Sequence, residues 1–363
     1  MKKTGIKAAG AVLGGMAALV AGGSYYLVRK AYSDNFGRWN LEKYSERLRY
    51  EDVKEEFPRR LVEFYSSDGR KHSRMNKIQG YVYGEDRTKG LVIFSHGILA
   101  AHEDYLPCIL ELVKRDWCVF AFDNTGTGNS EGKNSRGLVQ GPLDLLAALR
   151  YVDSDDDLKD RRKVLYGHSQ GGYSVCAVLN FYHDVEAIVS VSGFITPFSV
   201  TSGMGRDMYG KASVVTHPII RFENRRLFHK YSNLSAVDGI NKTDIPIHIM
   251  HGVGDDFVKY NGCSLIHHRE EISNPNVSYQ SLDYPERNDH GSFVWSLEAN
   301  RYQKEIEKQV GEAVKRCGVK AKKELPEEEL EKIFSQVDKK RACEPNSEFY
   351  DDVDAFYCRS LGL

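Results

Sequence analysis

Lys163-Val164-Leu165-Tyr166-Gly167-His168-Ser169-Gln170-Gly171 decides the fold, because a short apolar run of strand character leads straight into a Gly-x-Ser-x-Gly turn. A helix-like segment, Gly172 to Phe181, follows directly. A serine hydroxyl is a poor nucleophile, and holding it at the apex of a tight strand-to-helix turn lets a base reach it. Such a turn brings backbones together, so the flanking positions must be glycine. The helix that begins after Ser169 aims free backbone N–H groups and the positive end of its dipole at an oxygen that becomes negative in acyl transfer.

Similar punctuation recurs on either side. Upstream, Leu91-Val92-Ile93-Phe94 ends in Ser95-His96-Gly97-Ile98, a loop leaving an earlier strand. Downstream, Ile245-Pro246-Ile247-His248-Ile249-Met250 reads as a strand running into His251-Gly252-Val253-Gly254-Asp255-Asp256, a loop able to present a carboxylate. Val277-Ser278-Tyr279-Gln280-Ser281-Leu282 alternates like a last strand and is followed by Asp289-His290-Gly291 before a closing helix. The order along the chain is serine, then acid, then histidine.

These motifs resemble the α/β-hydrolase superfamily over about residues 60–314, most closely its serine aminopeptidase-like, monoacylglycerol lipase and carboxylesterase branch. Gly167 to Gly171 matches the family elbow, His96-Gly97-Ile98 its oxyanion loop, the segment ending at Asp255 its acid loop, and Asp289-His290-Gly291 its histidine loop. Phe122-Asp123-Asn124-Thr125-Gly126-Thr127-Gly128-Asn129-Ser130 resembles the family's Asp-x-x-Gly-x-Gly-x-Ser turn, without the arginine commoner in its middle. The resemblance implies Ser169 as nucleophile, His290 as base and Asp255 as its orienting acid, with the backbone N–H groups of Ile98 and Gln170 as oxyanion donors. Asp256 is adjacent to the acid, but Asp255 is in register. No metal or organic cofactor is implied.

The implied fold is α/β: a mostly parallel sheet covered by helices on both faces, which the continuous apolar strands Cys118–Phe122 and Ala187–Val191 also suit. Arg60–Tyr65 and Ile78–Tyr83 alternate as a leading antiparallel pair. The segment from about 194 to 238 interrupts the strand–helix rhythm with Phe198, Met204, Met208, Tyr209, Phe222 and Phe228, and is expected to be a lid inserted after the sixth strand. The plainer alternative is a pair of packing helices. The expected divisions are residues 1–30, a connector 31–58, the hydrolase domain 59–317 and a helical extension 318–363, whose apolar faces dock on the domain or on the connector.

A net charge of −1 gives no electrostatic case for nucleic acid. Seven cysteines lie far apart without Cys-x-x-Cys spacing, and the odd number leaves at least one unpaired in any intramolecular scheme, so cysteine usage does not fix the redox compartment. Thr127 to Asn134 imitates a phosphate-binding loop but has Thr127 for the first glycine and Asn134 for the last hydroxyl residue. His248 and His251 fall on opposite faces of a strand, so a shared metal is not expected.

The N-terminus carries an apparent address. Lys2, Lys3 and Lys7 precede an uncharged stretch from Ala8 to Val28 closed by Arg29-Lys30, long enough for a bilayer-spanning helix. It reads as a signal anchor placing the enzyme in the cell membrane, outside the cytoplasm. A cleaved secretory signal near Ala21-Gly22-Gly23 is the alternative.

The functional expectation is a serine hydrolase that cleaves carboxylic esters through an acyl-enzyme. A serine aminopeptidase, a monoacylglycerol lipase or lysophospholipase, and an inactive hydrolase-fold binding protein are the rivals. Small-molecule ester, lipid or short-peptide substrates would be its partners.

Overall fold

The computed structural model describes residues 22–67, 69 and 75–363. Its eight strands are β1 (Arg59–Ser66), β2 (Asn76–Tyr83), β3 (Leu91–Ser95), β4 (Cys118–Phe122), β5 (Lys163–His168), β6 (Ala187–Val191), β7 (Ile247–Gly252) and β8 (Val277–Leu282). They form one sheet in the order β1-β2-β4-β3-β5-β6-β7-β8. β1 with β2, and β2 with β4, run antiparallel, and every other pairing is parallel. β3, β4, β5 and β6 are buried along their whole length, which explains why they read as unbroken apolar runs instead of alternating ones.

The helices are α1 (residues 22–35), α2 (Leu106–Lys114), α3 (Gln140–Val152), α4 (Gln170–Ala177), α5 (Pro197–Tyr209), α6 (His217–Phe228), α7 (Ala236–Ile240), α8 (Leu297–Cys317), α9 (Glu327–Phe334), α10 (Lys339–Ala342) and α11 (Ser347–Leu361). α3, α4 and α7 cover one face of the sheet through Leu145, Leu149, Tyr173, Val175 and Ile240. α2 and α11 cover the other through Ile109, Leu112, Phe349, Val353 and Tyr357. Tyr357 also donates its buried hydroxyl to the Leu165 carbonyl at 2.7 Å. The last helix is therefore part of the core. α9 packs instead on α8, through Ile333, Leu325 and Ala313. The tail also grips the segment before β1: Lys322 pairs with Glu42 at 2.6 Å and Lys339 with Asp52 at 2.8 Å.

Between β6 and β7 the chain leaves the sheet to form α5 and α6. Thr196 caps α5 by accepting the Ser199 amide at 3.1 Å, and Pro197 occupies its first turn. α5 buries only Pro197 and Val200. Phe228, at the end of α6, fills a small cluster with Val139 and Leu143 and ties the excursion to α3.

The reading of residues 8–28 as a signal anchor, with a transmembrane helix and a cell-membrane location, is corrected here. Residues 8–21 of that stretch lie outside the described residues. Its remainder begins α1, which continues without a break through Arg29 and Lys30 to residue 35 and so crosses the division expected at residue 30. Among the described residues no helix is long and apolar enough to cross a membrane. Ser24 and Val28 are buried, Arg29 reaches Glu223 of α6 at 3.3 Å, and Tyr32 donates to Asn224 Oδ1 at 2.7 Å. A hydropathy window counts apolar side chains and is blind to what covers them. Here the fold covers Val28, while Tyr25, Tyr26 and Leu27 stay exposed.

Candidate active site

Ser169 stands at the C-terminal end of β5, near the middle of the sheet, where ligands bind in open α/β folds. Its backbone is forced to φ 58°, ψ −117° by the change from strand to helix. The glycines around it are demanded by contact. A Cβ on Gly167 would lie 2.2 Å from the Gly171 carbonyl oxygen, and one on Gly171 only 1.9 Å from that of Ser95. Both obstacles are backbone, so neither can swing aside.

Two loops bring polar side chains to this turn. Ser169 Oγ lies 2.9 Å from His290 Nε2, and His290 Nδ1 lies 2.7 Å from Asp255 Oδ2. Because a carboxylate only accepts, the imidazole proton sits on Nδ1 and Nε2 is left to accept from the serine. Asp255 is buried, and its other oxygen accepts the amides of Phe257 and Val258 at 2.9 and 2.8 Å. His251 Nε2 is a further 3.1 Å from Oδ2. Burial alone would raise the Asp255 pKa, but the hydrogen bonds from His251 and His290 outweigh it and hold the carboxyl well below the usual range. Asp256 is exposed to solvent.

Ile98 and Gln170 flank Ser169. Neither amide N–H finds an acceptor among the described residues, and Gln170 opens α4, where N–H groups are free by geometry. Gly97 approaches so closely that a Cβ there would lie 3.4 Å from Ser169 Cβ. Two neutral histidines brace the arrangement. His96 is buried; its Nε2 accepts the Asn124 amide at 3.0 Å, so Nδ1 carries the proton and donates to the Gly97 carbonyl at 2.7 Å. His168 donates from Nε2 to the His290 carbonyl at 2.7 Å, and its Nδ1 accepts from the Tyr105 hydroxyl at 2.8 Å. The same hydroxyl accepts the Gly97 amide at 3.2 Å. Burial, reinforced by the nearby His290, pushes the His168 pKa down to about 3, so the ring stays uncharged.

Below the loop at Ile98, the turn from Phe122 to Ser130 is held by one buried carboxylate. Asp123 accepts the His102 amide at 2.9 Å, the Asn129 amide at 2.9 Å and the Tyr81 hydroxyl at 3.0 Å, beside the His102 ring at 2.8 Å. Its burial is again outweighed, by His102 and these donors, and its pKa falls to about 2.

Two cavities meet at Ile98 and Leu99. One, of about 130 Å³, runs from Ser169 between α1 and α5 and is lined mainly by apolar residues, among them Val28, Phe194, Met204, Met208 and Phe257. The other, of about 630 Å³, lies beside His168 and Tyr105 and carries Arg47, Arg49, Asp104, Lys304 and Glu307. Among the described residues no three His, Cys, Asp or Glu side chains are grouped to hold a metal ion.

The structure thus brings Ser169, His290, Asp255, Ile98 and Gln170 into one place. Sequence reasoning missed His251, Tyr105 and α1. His251 stands four residues before Asp255 at the end of β7, a spacing with no recognisable motif, and α1 is distant in sequence from every loop of the site.

Residues 86–237, less than half of the chain, match the family described as serine aminopeptidase, S33. The uncharacterized protein YfhR of Escherichia coli O157:H7 is 25% identical over 205 residues, which cover 55% of this chain. Its Salmonella typhimurium counterpart is 28% identical over 184 residues, or 47% of this chain. The chain spans 64% and 55% of the length of these two relatives. Among solved structures, the Pyrococcus furiosus esterase Pf2001 is similar with a TM-score of 0.53 at 21% identity, covering 77% of this chain and 98% of that one. Taken with the strand order and the serine turn, this likeness gives the chain the α/β-hydrolase fold.

Proposed function

We propose that the protein is a serine hydrolase that cleaves carboxylic esters through an acyl-enzyme. The observation that carries this reading is the hydrogen-bonded series from Ser169 through His290 to Asp255, placed at the head of an apolar cavity. Ser169 Oγ attacks the ester carbonyl carbon while its proton passes to His290 Nε2, and Asp255 stabilises the imidazolium that forms. The carbonyl oxygen becomes an oxyanion facing the unpaired N–H groups of Ile98 and Gln170. Collapse breaks the bond to the alcohol, which leaves with the proton from His290. Water then repeats the sequence on the acyl-serine and releases the acid.

An ester is favoured over the peptide suggested by the name of the matching family. An aminopeptidase needs a carboxylate to hold the substrate's free amine; among the described residues none lines the cavity at Ser169, and Asp104 and Glu307 stand in the adjoining one. The α5–α6 excursion is read as a lid over that cavity, since Val200, Met204, Met208 and Ile220 line it. A panel of fluorogenic esters of graded acyl length, run beside aminoacyl amides, tests the reading. Ester turnover that disappears in Ser169→Ala is expected; faster turnover of aminoacyl amides would overturn the ester assignment.

A further inference from the structure

α1 precedes the first strand of the sheet, yet it forms a wall of the cavity at Ser169. Leu27, Val28, Ala31, Tyr32, Asn35 and Phe36 all line it. The pairs recur every four residues, so they form a single stripe along the helix that ends at Phe36, just past its last turn. Opposite them stand Met204, Gly205 and Met208 of α5. Flexible thioethers and a glycine adapt readily to a chain of variable shape. The stripe is held in register by polar contacts to α6, from Tyr32 to Asn224 at 2.7 Å and from Arg29 to Glu223 at 3.3 Å. Glu223 is fully buried and also binds Arg226 at 2.7 Å, which fixes the carboxylate that receives Arg29.

We infer that α1 is a specificity element: it closes the acyl site and sets the length of the linear apolar acyl chain that the enzyme accepts. This rests on the ester-hydrolase reading of Ser169. A cavity of about 130 Å³ falls below the roughly 300–1,000 Å³ of sites for drug-sized ligands, so the chain that fits is short to medium. Val28 and Ala31 bound the space on the α1 side. Enlarging Ala31 shortens the accessible chain, and trimming Val28 lengthens it.

The experiment compares native protein, Ala31→Trp and Val28→Ala on p-nitrophenyl acetate, butyrate, octanoate and laurate, with fluorophosphonate labelling of Ser169 in each as a check on the machinery. Ala31→Trp is expected to lower kcat/KM for octanoate at least about tenfold relative to acetate, the scale on which pockets discriminate by methylenes. Val28→Ala is expected to move the optimum toward laurate. Unchanged chain-length profiles in variants that still label would overturn the inference while leaving the ester reading intact. If native protein neither labels nor turns over any ester, the ester reading fails by itself. Displacement of a fluorescent fatty acid then tests the wall directly, with weaker binding to Ala31→Trp expected and equal binding against it. Should Ala31→Trp not fold, Val28→Ala carries the same comparison.

Discussion

The Tyr105 hydroxyl lies 2.8 Å from His168 Nδ1 and 3.2 Å from the Gly97 amide, so one side chain ties the loop bearing Ile98 to the ring that supports the His290 backbone. Tyr105→Phe keeps the ring and removes both bonds. The buried Gly97 amide and His168 nitrogen are then unpaired, at a cost of about 1–3 kcal/mol in stability. If the pair positions the proposed oxyanion loop, kcat falls by roughly 10- to 100-fold with little change in KM, as expected of a small misplacement. Urea denaturation and steady-state kinetics on a soluble ester separate the two effects. A variant destabilised but unchanged in kcat would leave Tyr105 with a purely structural role.

His168 makes stability depend on pH with a definite sign. Its folded pKa, about 3, lies below the 6.5 of an ordinary histidine, so the unfolded chain takes up the proton first. Stability from this residue is complete above pH 6.5 and is lost as pH falls toward 3, by up to about 1.4 kcal/mol per unit. His96, also lowered by burial, acts in the same direction. Urea midpoints measured from pH 7.5 down to 5 should fall steadily, and His168→Gln should flatten the slope. An equal slope in the variant would assign the acid sensitivity elsewhere.

Adjacent aspartates should differ sharply. Asp255→Asn leaves the shape of the loop but deprives His290 of the carboxylate at 2.7 Å, and turnover should drop on the order of 10⁴-fold. Asp256 is exposed, so Asp256→Asn should change turnover less than about threefold, the range of a surface charge far from a contact. Parallel kinetics on the two variants settle the assignment, and the reverse ranking would displace Asp255.

Gly171→Ala should be poorly tolerated even though it adds a single methyl. The new Cβ would lie 1.9 Å from the Ser95 carbonyl oxygen, so β3 and α4 must separate, at a cost above about 4 kcal/mol. Circular dichroism melting of the variant should show a large fall in Tm or no cooperative transition. A stable variant would mean that the turn is looser than described.

Much of this was legible in the chain because its loops are short and local. The run Lys163–His168 becomes β5, and the glycines at 167 and 171 mark contacts that no other residue permits. What escaped was tertiary. Ala8 to Val28 has the composition of a membrane span, and only the folded structure shows that Val28 is buried against protein. The apolar residues of α11 carried no label for the sheet face they complete, and nothing in the sequence joined His251 to Asp255. Local chemistry is written in motifs, whereas the partner of an amphipathic helix is chosen by the whole fold.

The central claim is that Ser169 is the nucleophile, and covalent capture tests it most directly. Native protein treated with a fluorophosphonate should gain one adduct, mapped by peptide mass spectrometry to Ser169, and Ser169→Ala should gain none. The series from Asp255 through His290 to Ser169 further predicts much slower labelling in His290→Ala. An adduct on another residue, or none in folded native protein, would contradict the account.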